Sequence, residues 1–241
     1  MVLVVCEEAD LGALWAAESL QSRGLSVEIV TGAELAAAER WEHRLGQSGI
    51  TLALTFAGGE RCLRSWDVKG VLNRLSYLPS AWVQRIGGAD RDYALQEMYA
   101  LYLSWLHALP DPMLNRPTPQ GLCGNWRHPS AWAVLAARAG LPVPPYRQSS
   151  EDDPAKTWHA TSEPPAVQAI VVGKQVVAPL TVPTEQREAC LRLARAAGTT
   201  LLGINFAPAP KGGWEFSGAS VMPDLIRGGE PLADALAEVF A

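Results

Sequence analysis

The sequence of 241 residues predicts an α/β protein in which a parallel-sheet domain is followed by a smaller α+β domain. Short apolar runs alternate with segments of helical periodicity as far as Ala139. Two hairpin-like pairs of strands occupy the last third of the chain. Between these regions, residues 147–165 are polar and contain several prolines, which is typical of a linker. We place the boundary near Pro144, which gives domains of residues 1–144 and 145–241.

The first elements alternate strand and helix. The sequence predicts strands at Val2–Val5, Leu25–Val30 and Ile50–Phe56, and helices at Leu11–Arg23 and Ala33–Leu45. Strands joined through helices lie parallel in one sheet, because a crossover returns the chain to the same end of the sheet.

The second part of this domain repeats the pattern. Strands are expected at Val68–Leu72 and Met113–Leu114, and helices at Asp90–Ala108 and Pro129–Ala139. The second of these helices begins with proline and is followed by Gly140, as helix ends commonly are.

The last third predicts strands that pair by short turns. The segments Ala166–Val172 and Gln175–Leu180 flank a two-residue turn, and Leu201–Phe206 and Trp214–Phe216 form a second pair. Helices are expected at Glu185–Ala197 and Leu232–Phe240. Hairpins make antiparallel sheets, so this part is α+β.

The tripeptide Leu-Asn-Arg ends two of the predicted strands, at Asn73-Arg74 and at Asn115-Arg116. Ligands of open parallel sheets bind outside the carboxyl ends of the strands. The four side chains, with nearby Arg127 and His128, are therefore candidate substrate-binding residues. The arginines would converge on a carboxylate or phosphate. The alternative is structural: the arginines fix loops, the asparagines satisfy turns, and His128 caps a helix.

Three further acids, Glu7, Glu8 and Asp10, follow the first strand. They either cap the helix that begins at Leu11, where negative charge suits the helix dipole, or contact a cation or amine.

Composition excludes several classes of protein. A net charge of −5 argues against nucleic-acid binding. Four scattered cysteines form no Cys-x-x-Cys pair, which indicates reduced thiols, a cytoplasmic location and no zinc site. No uncharged apolar stretch reaches the roughly 18 residues of a membrane span, and the first residues lack the pattern of a signal peptide.

Several short motifs resemble the ATP-grasp superfamily, and in particular the glutathione-synthetase-like and RimK-like peptide ligases. The motifs are Val71–Arg74, Met113–Pro117, Trp132–Pro144, Ala169–Gly173, Gly203–Phe206 and Met222–Leu225. The resemblance implies a pre-ATP-grasp-like domain followed by a reduced ATP-grasp-like domain. It also implies activation of a carboxylate by Mg-ATP and attack by an amine.

The resemblance also shows where this chain departs from the family. Asn205 stands where the family has an acidic metal ligand, and Gly218 and Ser220 stand where it has Glu-x-Asn. Gln168 replaces an arginine. The first ATP-binding subdomain would have to fit between Pro145 and Ala166, where Lys156 is the single lysine.

These departures predict a truncated, degenerate member: a pseudoenzyme without bound cofactor, serving as an accessory or binding subunit in amino-acid or peptide modification. Its expected partners are a protein or a second copy in a dimer, and a small carboxylate or peptide ligand. Two alternatives stay open. One is an active ATP-dependent carboxylate–amine ligase that uses Mg-ATP, and the other is a binder of a small anionic metabolite at the Asn-Arg ends.

Overall fold

The computed structural model describes residues 1–47, 49–79, 88, 90–145 and 167–241. Contacts divide these residues into two compact units. The first comprises Met1–Asn125 with Leu236–Ala241, and the second comprises Trp126–Ala235. The α/β class predicted from the sequence is confirmed. The domain boundary near Pro144 stays a prediction. In the structure, the helix that begins at Pro129 packs within the second unit.

A parallel sheet of four strands forms the centre of the first unit, in the order β2-β1-β6-β7. Its strands are β1 (Val2–Cys6), β2 (Val27–Thr31), β6 (Gly70–Asn73) and β7 (Met113–Leu114). Every residue of β1 and β6 is buried. The register pairs Val5 with Asn73 and Leu72 with Leu114, so the carboxyl ends of these strands lie side by side.

Three helices accompany these strands: α1 (Leu11–Ser22), α2 (Gly32–Ala37) and α3 (Arg91–Ala108). Asp10 caps α1 through a bond from the Ala13 amide. A capping box between Thr31 and Glu34 begins α2.

A separate antiparallel sheet corrects the prediction for residues 38–56. It contains β3 (Arg40–Gly46), β4 (Gly49–Thr55) and β5 (Cys62–Arg64) in that order. The predicted helix Ala33–Leu45 is therefore wrong beyond Ala37, and the predicted third parallel strand is antiparallel. The physical reason is the packing of Trp41, whose ring lies 5.1 Å from the ring of Tyr102 and 5.5 Å from that of Trp105. This contact fixes an alternation of inward and outward side chains that only a strand provides.

The second unit is a four-stranded antiparallel sheet in the order β11-β10-β8-β9. The strands are β8 (Val167–Val172), β9 (Gln175–Val177), β10 (Leu201–Pro208) and β11 (Trp214–Ser220). Helices α4 (Pro129–Arg138) and α5 (Thr184–Ala197) form a single apolar core together with one face of this sheet. A 3-10 turn (Ile226–Gly228) leads into the last helix, α6 (Gly229–Phe240).

Alternation along the strands separates the two faces of this sheet. Val167, Ala169 and Phe206 belong to the core with the helices. Gln168 and Asn205 lie on the opposite face, because side chains alternate along a strand. This opposite face carries the positions at which the sequence departs from the ATP-grasp pattern.

Candidate functional site

Asn73 lies at the carboxyl edge of the parallel sheet, as predicted, but its side chain bonds to the protein itself. Its amide nitrogen donates to the carbonyls of Asn115 (2.9 Å) and Leu122 (2.7 Å). Its amide oxygen accepts from the backbone N–H of Leu75 at 3.2 Å. Both donor hydrogens and the oxygen are thus engaged inside a fully buried side chain. These bonds give Asn73 a structural role that joins the ends of two strands.

Arg74 forms a buried ion pair with Asp10, the residue that caps α1. Its Nε lies 2.6 Å from one carboxylate oxygen and its Nη2 lies 3.1 Å from the other. The two side chains are only 6% and 11% exposed. A two-point contact of this kind matches the planar fork of a guanidinium, so Arg74 holds the start of α1 against the end of β6.

Asn115 and Arg116 follow β7 with different surroundings. Asn115 is buried and has φ of 61°, a left-handed conformation that asparagine tolerates better than most residues. Arg116 donates to the His107 carbonyl at 2.8 Å and pairs with Asp111 at 2.7 Å. Arg74 and Arg116 therefore have separate partners in the structure. Their joint binding of an anion stays a prediction.

Arg127 and His128 belong to the second compact unit, whereas the two Asn-Arg pairs belong to the first. Arg127 donates to the Ala197 carbonyl at 3.1 Å, and its guanidinium lies 5.7 Å from the centre of the Trp132 ring. The Nδ1 atom of His128 accepts from the Ser130 amide at the start of α4. His128 is thus a helix cap, which was one of the two roles considered for it. A substrate contact by either residue stays a prediction.

Two further acids, Glu7 and Glu8, precede Asp10 in the segment after β1. Burial raises the pKa of the Glu7 carboxyl, and the neighbouring carboxylates of Glu8 and Asp10 raise it further. Nearby, the Cys123 thiol donates to the Asn73 carbonyl at 3.0 Å, and burial raises its pKa to about 12. A thiol of this kind stays protonated at neutral pH and is a poor nucleophile.

Three of the positions that depart from the family pattern form one row across the second sheet. Asn205 of β10 lies directly opposite Gln168 of β8 on one side and Gly218 of β11 on the other. The amide nitrogen of Gln168 donates to the amide oxygen of Asn205 at 2.8 Å. We call Gln168, Asn205 and Gly218 the amide row. It contains no charged side chain.

Mg-ATP does not fit the amide row. Mg²⁺ selects carboxylate and phosphate oxygens, whereas this row offers carboxamides and a glycine. Among the described residues, no group of three or more His, Cys, Asp or Glu side chains is placed to hold a metal ion. Lys156 and the segment expected to replace the first ATP-binding subdomain lie outside the described residues.

The chain that follows β11 covers part of the same face. A Cβ atom added to Gly203 would lie only 2.8 Å from Cβ of Pro223 and 3.2 Å from the amide nitrogen of Gln168. The distance to Pro223 is shorter than real Cβ contacts, so glycine is needed at this position. Pro223 therefore lies directly over β10, next to the amide row.

Glu215 is a functional candidate that sequence reasoning missed. It pairs with Ala207, which lies two residues beyond Asn205 and therefore on the same face. A bulge between Asn205 and Phe206 sets this register, because it shifts the pairing by one residue. Among the residues of β8 to β11 that lie on this face, Glu215 is the one with a charged side chain. The alternation of Trp214, Glu215 and Phe216 was the available signal, but the bulge cannot be located from it.

No helix in the described part of the chain combines the length and the apolar character that crossing a membrane requires. All four cysteines are free, as expected for reduced thiols.

The sequence matches no family model and no curated protein. The fold, in contrast, is similar to solved structures. The macrocyclase MdnC from Microcystis aeruginosa, bound with the precursor peptide MdnA, aligns with a TM-score of 0.75 and 15% identity over 100% of this chain and 99% of that chain. Macrocyclase MdnB from the same organism gives a TM-score of 0.70 and 16% identity over the same shares.

An ATP-grasp ligase from Chryseobacterium gregarium, in complex with ADP and a leader and core peptide, gives a TM-score of 0.71 at 12% identity. That alignment covers 99% of this chain and 96% of the other. At such identities the comparisons establish the fold and leave the activity open. The chain has the fold of the ATP-grasp ligases.

Proposed function

We propose that this protein is a non-catalytic, peptide-binding subunit with an ATP-grasp fold that acts in peptide modification. The observation that carries the proposal is the amide row. The family's chemistry requires carboxylates for Mg²⁺ and cations for the transferred phosphoryl group, and Gln168, Asn205 and Gly218 provide neither.

The class of ligand is suggested by the structural neighbours. Macrocyclase MdnC is bound with precursor peptide MdnA, and the ligase from Chryseobacterium gregarium is in complex with a leader and core peptide. If this chain shares the peptide-binding use of the fold, it would present a peptide to a partner enzyme or to a second copy of itself. This role needs binding without nucleotide turnover.

An active carboxylate–amine ligase is the second candidate, and Glu215 is the observation that favours it. Its carboxylate lies on the same face as the amide row and could contribute one metal ligand. The family pattern has two acidic metal ligands and Glu215 would supply one, so we rank this candidate second.

The test is release of ADP from Mg-ATP by the purified protein, with and without a glutamate-containing peptide. We expect the wild type and Glu215→Gln to release ADP at the same background rate. A peptide-dependent rate in the wild type that Glu215→Gln abolishes would establish the ligase instead. Lowered thermal stability of the variant would be checked separately, so that unfolding is not mistaken for lost catalysis.

A further inference from the structure

The hairpin formed by β3 and β4 exposes two large apolar side chains near its tip. Leu45 of β3 lies directly opposite Ile50 of β4, and these side chains are 76% and 48% exposed. Both lie on the face of the sheet that carries Trp41, because side chains alternate along a strand. Trp41 packs against α3, whereas Leu45 and Ile50 lie farther along the hairpin and stay uncovered. We call Leu45 and Ile50 the apolar knob.

A cavity of about 270 Å³ opens in the same compact unit, beside the last turns of α3. The residues that line it are Leu103, Ser104, His107, Pro117, Thr118 and Pro119. Hydrogen bonds hold its walls in place. The side chain of Arg116 donates to the His107 carbonyl at 2.8 Å, and Thr118 and Gly121 exchange backbone bonds of 2.9 and 3.0 Å. The cavity is therefore formed before anything occupies it.

His43 connects the apolar knob to this cavity. It precedes Leu45 by two residues on the same face of β3, and its Nδ1 atom lies 3.4 Å from the hydroxyl oxygen of Ser104. Ser104 lines the cavity. The knob and the cavity therefore belong to one surface of the protein. The knob does not fill the cavity of its own chain, since both of its side chains remain exposed.

The surface that carries the knob and the cavity has few charged groups. The described residues that line the cavity include no Asp, Glu, Lys or Arg. The charged residues of β3, which are Arg40, Glu42 and Arg44, alternate with Leu45 and so lie on the opposite face of the sheet. Two copies of a chain with a net charge of −5 repel each other, and identical charged patches in contact would add to that repulsion. An uncharged surface avoids this cost when a chain meets its own copy.

We propose that the apolar knob of one copy inserts into the cavity of a second copy, and the reverse, so that two chains form a symmetric dimer. The side-chain carbons of a leucine and an isoleucine need about 200 Å³, scaled from the ~150 Å³ apolar cavity that holds benzene. The cavity is larger than this volume.

A second copy of this chain fits the surface better than a foreign peptide does. A peptide in the cavity would leave the knob exposed, whereas a second copy covers the knob and the cavity together. Because each chain gives a knob and receives one, a two-fold axis closes the assembly at two chains. This dimer specifies one of the two partners of the proposed function, but it does not depend on nucleotide or peptide binding.

Analytical ultracentrifugation of the full chain tests the dimer. We expect the wild type to be a dimer at micromolar concentration. Leu45→Glu places a charge in an apolar contact that occurs twice in each dimer, so the Kd should rise by about a hundredfold or more. The matched control is Leu180→Glu, because Leu180 is 97% exposed and belongs to the second compact unit. Its Kd should stay within about twofold of the wild type.

Ser104→Arg changes the cavity instead of the knob. Ser104 is exposed on α3, where arginine is a good helix former, and the long side chain would occupy the cavity. This variant should also be monomeric at micromolar concentration. When it is mixed with Leu45→Glu, the intact knob of one chain meets the intact cavity of the other. The mixture should therefore contain dimers at a concentration at which each variant alone is monomeric.

Four results would each overturn the inference: a monomeric wild type, a species larger than a dimer, equal dissociation of Leu180→Glu and Leu45→Glu, or a mixture that stays monomeric. Urea denaturation shows whether each variant is folded, and Ile50→Glu replaces Leu45→Glu if that variant is not. These samples contain no nucleotide and no peptide. A monomeric wild type would thus leave the proposed function standing, and ADP release in the separate assay would leave the dimer standing.

Discussion

Replacing Asp10 by alanine tests the structural role of the Asn-Arg pair most sharply. The Asp10 carboxylate pairs at two points with Arg74 and also accepts from the Ala13 amide at 3.0 Å. The substitution removes the cap of α1 and leaves the guanidinium of Arg74, which is 6% exposed, without this partner.

The expected loss is large because two effects act together. Removing one partner of a buried ion pair destabilises a protein by about 3–5 kcal/mol. Losing a helix cap costs about 0.5–2 kcal/mol. The two effects share one side chain and are not fully additive, so we expect a loss of roughly 4–5 kcal/mol in the free energy of unfolding.

Urea denaturation provides the measurement, with Glu8→Ala as the matched control. Glu8 is an exposed acid two residues away, and its replacement should change stability by less than about 0.5 kcal/mol. The double variant Asp10→Ala with Arg74→Met removes both charges and should recover much of the loss. A loss below about 1 kcal/mol for Asp10→Ala, or no recovery in the double variant, would refute the structural role of Arg74.

Three further predictions concern other parts of the chain. Gly203→Ala should lower the free energy of unfolding, measured in urea, by about 1–3 kcal/mol, because the added Cβ would lie 2.8 Å from Cβ of Pro223. Gly218→Ala is the control and should be nearly neutral, because a Cβ added there meets nothing within 4 Å. Equal losses in the two variants would contradict the close contact at Gly203. At Glu34, burial raises the carboxyl pKa, but bonds from Thr31 and Arg61 outweigh it and lower the pKa. The stability contributed by Glu34 is therefore complete above its unfolded pKa of about 4.3 and lost as pH falls through the lower folded value. The stability difference between wild type and Glu34→Gln should shrink below about pH 4, and a constant difference would be inconsistent with it. Finally, a thiol reagent at pH 8 should label exposed Cys62 rapidly and the three buried cysteines, whose pKa values burial raises to about 12, only after unfolding; rapid labelling of more than one thiol would show the burial to be wrong.

Much of the fold could be predicted because its elements have strong local signals. The strand at Val2, the long helix that ends at Ala108 and the hairpin around Gly173 each show a clear period or turn, and each is confirmed. Residues 38–45 were predicted wrongly, since a few apolar residues fit a helical and a strand period alike. The contact of Trp41 with Tyr102 and Trp105 decides between them, and those partners lie some sixty residues away.

The sequence predicted where the candidate site lies in the fold, but it did not predict the hydrogen bonds and ion pairs of the site residues. Strand ends placed Asn73 at the carboxyl edge of the sheet, and Asn205 was identified as departing from the family pattern. The strand register places Gln168, Asn205 and Gly218 in one row. Sequence motifs alone do not determine this register. The pairing of Arg74 with Asp10 links residues 64 positions apart and has no local signal.

Arg187 and Arg227, which line a cavity of about 420 Å³ beside the second sheet, illustrate a different limit. Arg187 lies within an amphipathic helix and Arg227 in a short turn, and both are ordinary surface positions in the sequence. Only the folding of α5 and of the segment after β11 around one sheet brings them to the same cavity. No spacing rule could have selected them from the other arginines.

The most direct test of the central claim is ³¹P NMR of Mg-ATP mixed with a stoichiometric amount of the protein and a glutamate-containing peptide. Because the amide row offers neither carboxylates for Mg²⁺ nor cations for phosphoryl transfer, we predict that the three ATP resonances persist unchanged and that no ADP signal develops. A growing ADP signal that requires the wild-type protein and disappears with Glu215→Gln would contradict the claim and identify an active ligase.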